Sequence, residues 1–107
     1  MGRMVGTDEE ADELLRALAH PARRAILREC WSAPVPAGSL TAMLGIGAPS
    51  VSEHLRVLRK TGLVTLTRSG TFRNYQTNTE LVRALAQWLG AFPHSPGDSH
   101  GEPDPPL

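Results

Sequence analysis

A mainly α-helical fold with one small β-hairpin, a winged helix-turn-helix, is the architecture this sequence predicts. Three observations predict it. Residues 37 to 77 read as a short helix, a glycine-marked turn, a second helix and then a hairpin. Apolar residues recur at helical spacing on both sides of that stretch. The segment Leu63 to Arg68 is rich in β-branched and apolar residues, and Ser69-Gly70-Thr71 turns it back into Phe72 to Thr77. The expected order is four helices, two strands and a fifth helix. A helix held at a fixed angle by a preceding one fits the major groove of duplex DNA, so this order is itself a binding hypothesis.

The first helix is expected from Thr7, where Thr7 and Glu10 have capping-box spacing and Asp8, Glu9 and Glu10 suit the positive end of a helix dipole. Leu14, Leu15 and Leu18 continue it as an apolar stripe. Pro21 opens the second helix at a position that loses no hydrogen bond, and Ala22, Ala25, Ile26 and Cys30 follow at helical spacing. Pro34 and Pro36 break the chain. A third helix spans roughly Gly38 to Leu44, and Gly45 suits its left-handed end. The fourth runs from about Pro49 to Thr61, with Val51, Leu55 and Leu58 on its buried face. After the hairpin, Thr77 and Glu80 have capping-box spacing and announce the last helix. Leu81, Leu85, Trp88, Leu89 and Phe92 give that helix one broad apolar face.

Composition bounds the rest. At 107 residues the chain is one domain, large enough for a small core and helped by burial against a second copy. Residues 1–6 are expected to be a flexible start, 7–92 a DNA-binding and dimerisation domain, and 93–107, with five prolines, a disordered tail. No apolar run approaches a membrane span, and the start lacks a secretory pattern, so a cytoplasmic protein with no membrane partner is expected. One cysteine excludes an internal disulfide. Net charge is zero, yet from Ala48 to Arg83 six basic residues stand against two acidic ones, a local +4 that can attract phosphate. No nucleophile–base pair, metal motif or phosphate-cradling glycine loop appears, so no enzyme is expected.

LLRALAHPARRAILREC, then LTAMLGIGAPSVSEHLRVLRKTGLV and the RSGTFRNYQT hairpin, resembles the ArsR/SmtB family of bacterial winged-helix repressors over residues 14 to 90. The most specific pieces are the AxPxR-like opening at Ala19 to Arg23, the PSVSEHLRVLRKTGLV block, and the wing ending in an aromatic residue. The resemblance implies a homodimeric, sequence-specific repressor whose first and last helices form the subunit interface. For this chain that assigns Leu14, Leu15, Leu18, Leu81, Leu85, Trp88, Leu89 and Phe92. For Trp88 the alternative is ordinary core packing inside one subunit, and the interface is the preferred reading. A symmetric dimer presents two reading helices about 34 Å apart to a palindromic operator of double-stranded DNA.

Carried over residue by residue, the resemblance places Ala48, Ser50, Ser52, Glu53, His54 and Arg56 at the start of the reading helix. Serine hydroxyls meet phosphate or base edges, and Arg56 suits backbone phosphate or a guanine. Relatives often carry Ser-Gln where this chain has Gly47-Ala48, which removes a polar cap and a base-reading amide. Glu53 accepts from a cytosine amine but repels phosphate. His54 is expected to pack or hydrogen-bond at the helix–helix boundary, with a sensor or metal-ligand role as the other reading. Arg68, Thr71 and Arg73 flank the wing tip, for a minor groove or the backbone.

Metal sensing in the family needs clustered ligands. Cys30 stands alone, and soft metals want several thiolates. Where the last-helix site of relatives has Asp and His, this chain has Asn78, Glu80 and Ala91, with only His94 surviving and His100 further along the tail. No metal or cofactor is expected, and no inducer is legible. The alternatives are a metal- or redox-responsive sensor with an unrecognised site, and a winged-helix protein-interaction module with little DNA binding.

Overall fold

The computed structural model of the chain describes residues 4–92. Among these residues there are five helices and a three-stranded antiparallel sheet. They are α1 (Asp8–Leu18), α2 (Pro21–Glu29), α3 (Ala37–Leu44), α4 (Ala48–Lys60) and α5 (Thr79–Gly90), with strands β1 (Val35–Pro36), β2 (Val64–Ser69) and β3 (Phe72–Thr77). The expected tail at 93–107 lies outside the described residues.

Local chemistry sets the helix ends. Thr7 caps α1 by accepting from the Glu10 amide at 3.0 Å, and the three acids of the first turn sit at the positive end of the helix. Pro21 opens α2 with extended His20 before it. Gly45 closes α3 at φ 67°, a left-handed value that a side chain would strain. Gly47 precedes α4 and offers no side-chain cap. This agrees with the missing Ser-Gln pair.

Two features differ from the sequence expectation. The break at Pro34 and Pro36 contains a strand: Val35 pairs with Tyr75 and Pro36 with Asn74, so β3 is the central strand and the sheet order is β1-β3-β2. Proline is tolerated there because β1 is an edge, where a missing amide donor breaks no inner ladder. The second difference concerns Thr77. It does not cap α5, because it is buried, with its hydroxyl donating to the Leu27 carbonyl at 2.8 Å and its amide to the Cys30 carbonyl at 3.0 Å. Asn78 is the cap instead, accepting from the Leu81 amide at 3.2 Å. Its own amide donates to Leu63, and its side-chain amide to Gly62.

One core joins all five helices to the sheet. Ala11 and Leu14 of α1, Ile26 of α2, Leu40 of α3, Val51, Leu55 and Leu58 of α4, Leu63, Val64 and Tyr75, and Leu81 and Leu85 of α5 all belong to it. Each large aliphatic side chain buried there contributes roughly 1.5–3 kcal/mol relative to exposure. The three α4 residues therefore hold that helix at one rotation about its axis, and the rotation decides which residues face outward. No helix among the described residues is long and apolar enough to cross a membrane.

Candidate nucleic-acid interface

The α3–turn–α4 unit and the β2–β3 hairpin supply the candidate site. With Val51, Leu55 and Leu58 turned inward, Ala48, Ser50, Ser52, Glu53 and Arg56 are all exposed on α4, and His54 is half-buried. The unpaired amides at the start of α4 carry the positive end of its dipole, which favours an anion such as a backbone phosphate.

Glu53 and Arg56 are not independent. Arg56 donates from Nε and Nη2 to the two carboxylate oxygens of Glu53 at 3.1 and 2.8 Å, a bidentate pair one turn apart. That hydrogen-bonded guanidinium holds the Glu53 carboxyl below the usual carboxylate range, and the same bond raises Arg56. Both side chains stay solvent-exposed, at 56% and 70%. The cation that the sequence offers to phosphate is thus already neutralised by its neighbour. The i, i+3 spacing carries the signal for this pair.

His54 lies at the boundary between α2 and α4. Its Nδ1 accepts from Arg23 Nε at 3.2 Å, and its ring is 6.2 Å from that of His20. Burial, the Arg23 charge and then His20 lower its pKa from 6.5. A neutral imidazole is needed for this bond, since Nδ1 must present a lone pair. Arg23 escaped the sequence assignment of site residues although it stands in the AxPxR-like opening.

The hairpin is chemically the opposite of α4. Gly70 holds φ 62° at the first position of a two-residue loop, as the tight hairpin turns require. Arg68 and Arg73 are directly opposite one another in the register, both exposed, and Thr71 is exposed between them. Like charges opposite each other weaken a hairpin until an anion comes between them. Phe72, which sequence reasoning passed over, is 66% exposed at the tip. Its signal was an aromatic residue two positions after a turn glycine, with no apolar partner in register.

The residues assigned to a subunit interface divide into two groups. Leu14, Leu81 and Leu85 are buried in the core of the single chain, at 1%, 0% and 3% exposure, because α1 and α5 both pack inward along those positions. They are not available to a second copy. Leu15, Leu89 and Phe92 are exposed, while Leu18 and Trp88 are half-buried against the core. Trp88 meets Phe92 edge-to-face, with ring centres 4.9 Å apart. Trp88 therefore combines core packing with an outward edge.

Candidate metal ligands are dispersed. Cys30 is fully buried, and burial, aided by Glu29, pushes its thiol up to about 11. It is a neutral thiol at neutral pH and a poor metal ligand. Asn78 is occupied as the α5 cap, Glu80 is exposed on the first turn, and Ala91 follows the helix. His94 and His100 lie outside the described residues. Among the described residues no three such side chains are positioned around one point.

A model of a helix-turn-helix domain matches residues 18–67. The chain is 35% identical over 88 residues to the HTH-type transcriptional regulator Rv2034 of Mycobacterium tuberculosis, covering 82% of each protein. It is 28% identical over 81 residues to the transcriptional repressor SdpR of Bacillus subtilis, covering 76% of this chain and 90% of that one. Among solved structures, an ArsR-like transcriptional regulator from Rhodococcus sp. RHA1 superposes with a TM-score of 0.74 at 29% identity, over 80% of this chain and 81% of that one.

Proposed function

The chain belongs to the ArsR/SmtB family of helix-turn-helix transcriptional regulators and is a DNA-binding regulator, and from that premise we propose that it acts as a homodimeric repressor of a palindromic operator. One observation carries the reading: the inward lock of Val51, Leu55 and Leu58 leaves Ser50, Ser52 and Arg56 facing out, and the hairpin that follows exposes Arg68 opposite Arg73. In this reading the start of α4 enters the major groove, with Ala48, Ser50, Ser52 and Glu53 nearest the base edges and Thr71 and the wing arginines at the flanking backbone or minor groove. His54 acts from behind, holding α4 to α2 through Arg23.

The second copy is proposed to seat on the α1–α5 face through Leu15, Leu18, Trp88, Leu89 and Phe92. Exposed aromatic and leucine side chains gathered at the end of a terminal helix favour this. Repression itself is argued from likeness to a relative named as a repressor.

The test is a binding titration with DNA upstream of the gene, repeated across salt concentrations, beside sedimentation of the free protein. A specific dimeric repressor gives a two-subunit particle and an affinity that falls steeply as salt rises. Equal affinity for random duplex, or a protein that stays monomeric alone and on DNA, would refute the proposal. In that experiment Leu89→Glu should leave a folded chain that no longer pairs.

A further inference from the structure

Between α1, α2 and the second half of α4 lies a cavity of about 260 Å³ that the DNA-facing surface does not account for. Four cations line it: Arg16 from α1, Arg23 from α2, and Arg56 and Lys60 from α4. Glu13 is the one acidic side chain among them. Among the described residues Arg16 and Lys60 have no ion-pair partner, and Arg23 uses only its Nε, on His54. Even after Glu13 and the Glu53 carboxylate held by Arg56 are set against the four cations, two positive charges remain unmatched. Ala17 and Val57 give the same cavity an apolar wall. A concave site with convergent cations and an apolar wall selects an anionic head on a compact apolar body.

We propose that this cavity is a binding site for a small organic dianion, a phosphomonoester with a compact apolar body, and that its occupancy weakens the hold of α4 on DNA. The regulatory half rests on the reading of α4 as the DNA-facing helix. Arg56 links the two. An anion seated beside it competes with Glu53 for the guanidinium, and Glu53, once released, stands on the DNA face as a bare carboxylate. By linkage the DNA must weaken ligand binding by the same factor.

The experiment is calorimetric titration of the full chain, without DNA, using phenyl phosphate, inorganic phosphate and phenol as probes. Phenyl phosphate should bind saturably with Kd below about 1 mM, inorganic phosphate about tenfold more weakly, and phenol not detectably. Arg16→Ala and Lys60→Ala, both exposed positions, should each weaken phenyl phosphate about five- to tenfold with unchanged thermal melting. Arg83→Ala on α5, outside the cavity, should bind as the parent does. The site is refuted by no saturation at about 10 mM, by equal binding of phenol, or by an equal loss in Arg83→Ala. In a second arm at constant ionic strength, phenyl phosphate should weaken DNA binding about fivefold, and this effect should vanish in Arg16→Ala. Unchanged DNA affinity with the ligand bound refutes the regulatory half. If Arg16→Ala and Lys60→Ala weaken DNA binding but spare phenyl phosphate, these cations serve the DNA backbone and the proposed site is wrong. Failure to bind DNA without any ligand refutes the DNA reading alone, since the first arm contains no DNA.

Discussion

Helix α4 and the β2–β3 hairpin handle charge in opposite ways. On α4, Arg56 is clasped by Glu53 and His54 accepts from Arg23, so those two side chains are satisfied within the protein. On the wing, Arg68 faces Arg73 across the hairpin, and neither has a carboxylate partner among the described residues. A satisfied surface loses internal bonds when it docks, whereas an unsatisfied one gains on meeting phosphate. Under the proposed DNA-binding role, the contrast assigns grip to the wing and discrimination to α4, a division that zero net charge conceals.

The largest expected effect is on the wing. Arg68→Ala with Arg73→Ala should weaken DNA binding about 10- to 100-fold at moderate salt and flatten the salt dependence by roughly two charge units, read by titration at several salt concentrations. A loss no greater than that of Arg56→Ala alone would break the division. Next, Glu53→Gln should tighten binding about three- to tenfold and steepen the salt dependence by about one unit, because it frees Arg56. Weaker binding would mean that Glu53 reads a base.

A smaller effect concerns the α2–α4 anchor. The His54 imidazole should titrate below 6.5 in an NMR pH series, and Arg23→Ala should shift that midpoint. The sign follows from linkage. A depressed folded value means the unfolded chain takes up the proton first, so stability present above 6.5 declines as pH falls through the folded value. A midpoint at or above 6.5 would show that α4 is not anchored through a neutral imidazole. The smallest effect is on the free protein, where Arg68→Thr should stabilise the hairpin by about 0.2–1 kcal/mol in chemical denaturation by removing the opposed charges. Destabilisation there would remove the argument that the wing is poised for an anion.

Much of this was legible in the sequence because the signals are local. Thr7 and Glu10 three apart, Gly45 after a short apolar helix, Val51/Leu55/Leu58 on one face, and Gly70 between β-prone runs each depend on neighbours a few positions away. What stayed hidden depends on distant contacts. Thr77 has the spacing of a cap, yet the Leu27 carbonyl claims its hydroxyl from fifty positions away. Val35 and Pro36 read as a break because their partner strand is about forty positions downstream. Leu14, Leu81 and Leu85 carry the same letters as the exposed Leu15 and Leu89, and only the packing of α1 and α5 separates them. At the candidate site, the exposed face of α4 followed from its buried face. Arg23 escaped because a residue on another helix had to reach His54.

The junction at Thr77 and Asn78 has a mechanical consequence. The hydrogen bonds of these two residues converge there, tying the end of α2, the loop after α4, the base of β3 and the first turn of α5 into one rigid knuckle. With no slack at that point, torque on the last helix is delivered to the hairpin instead of being absorbed between them. In the proposed dimer, a change in how the two subunits lean on one another would therefore swing the wing tips.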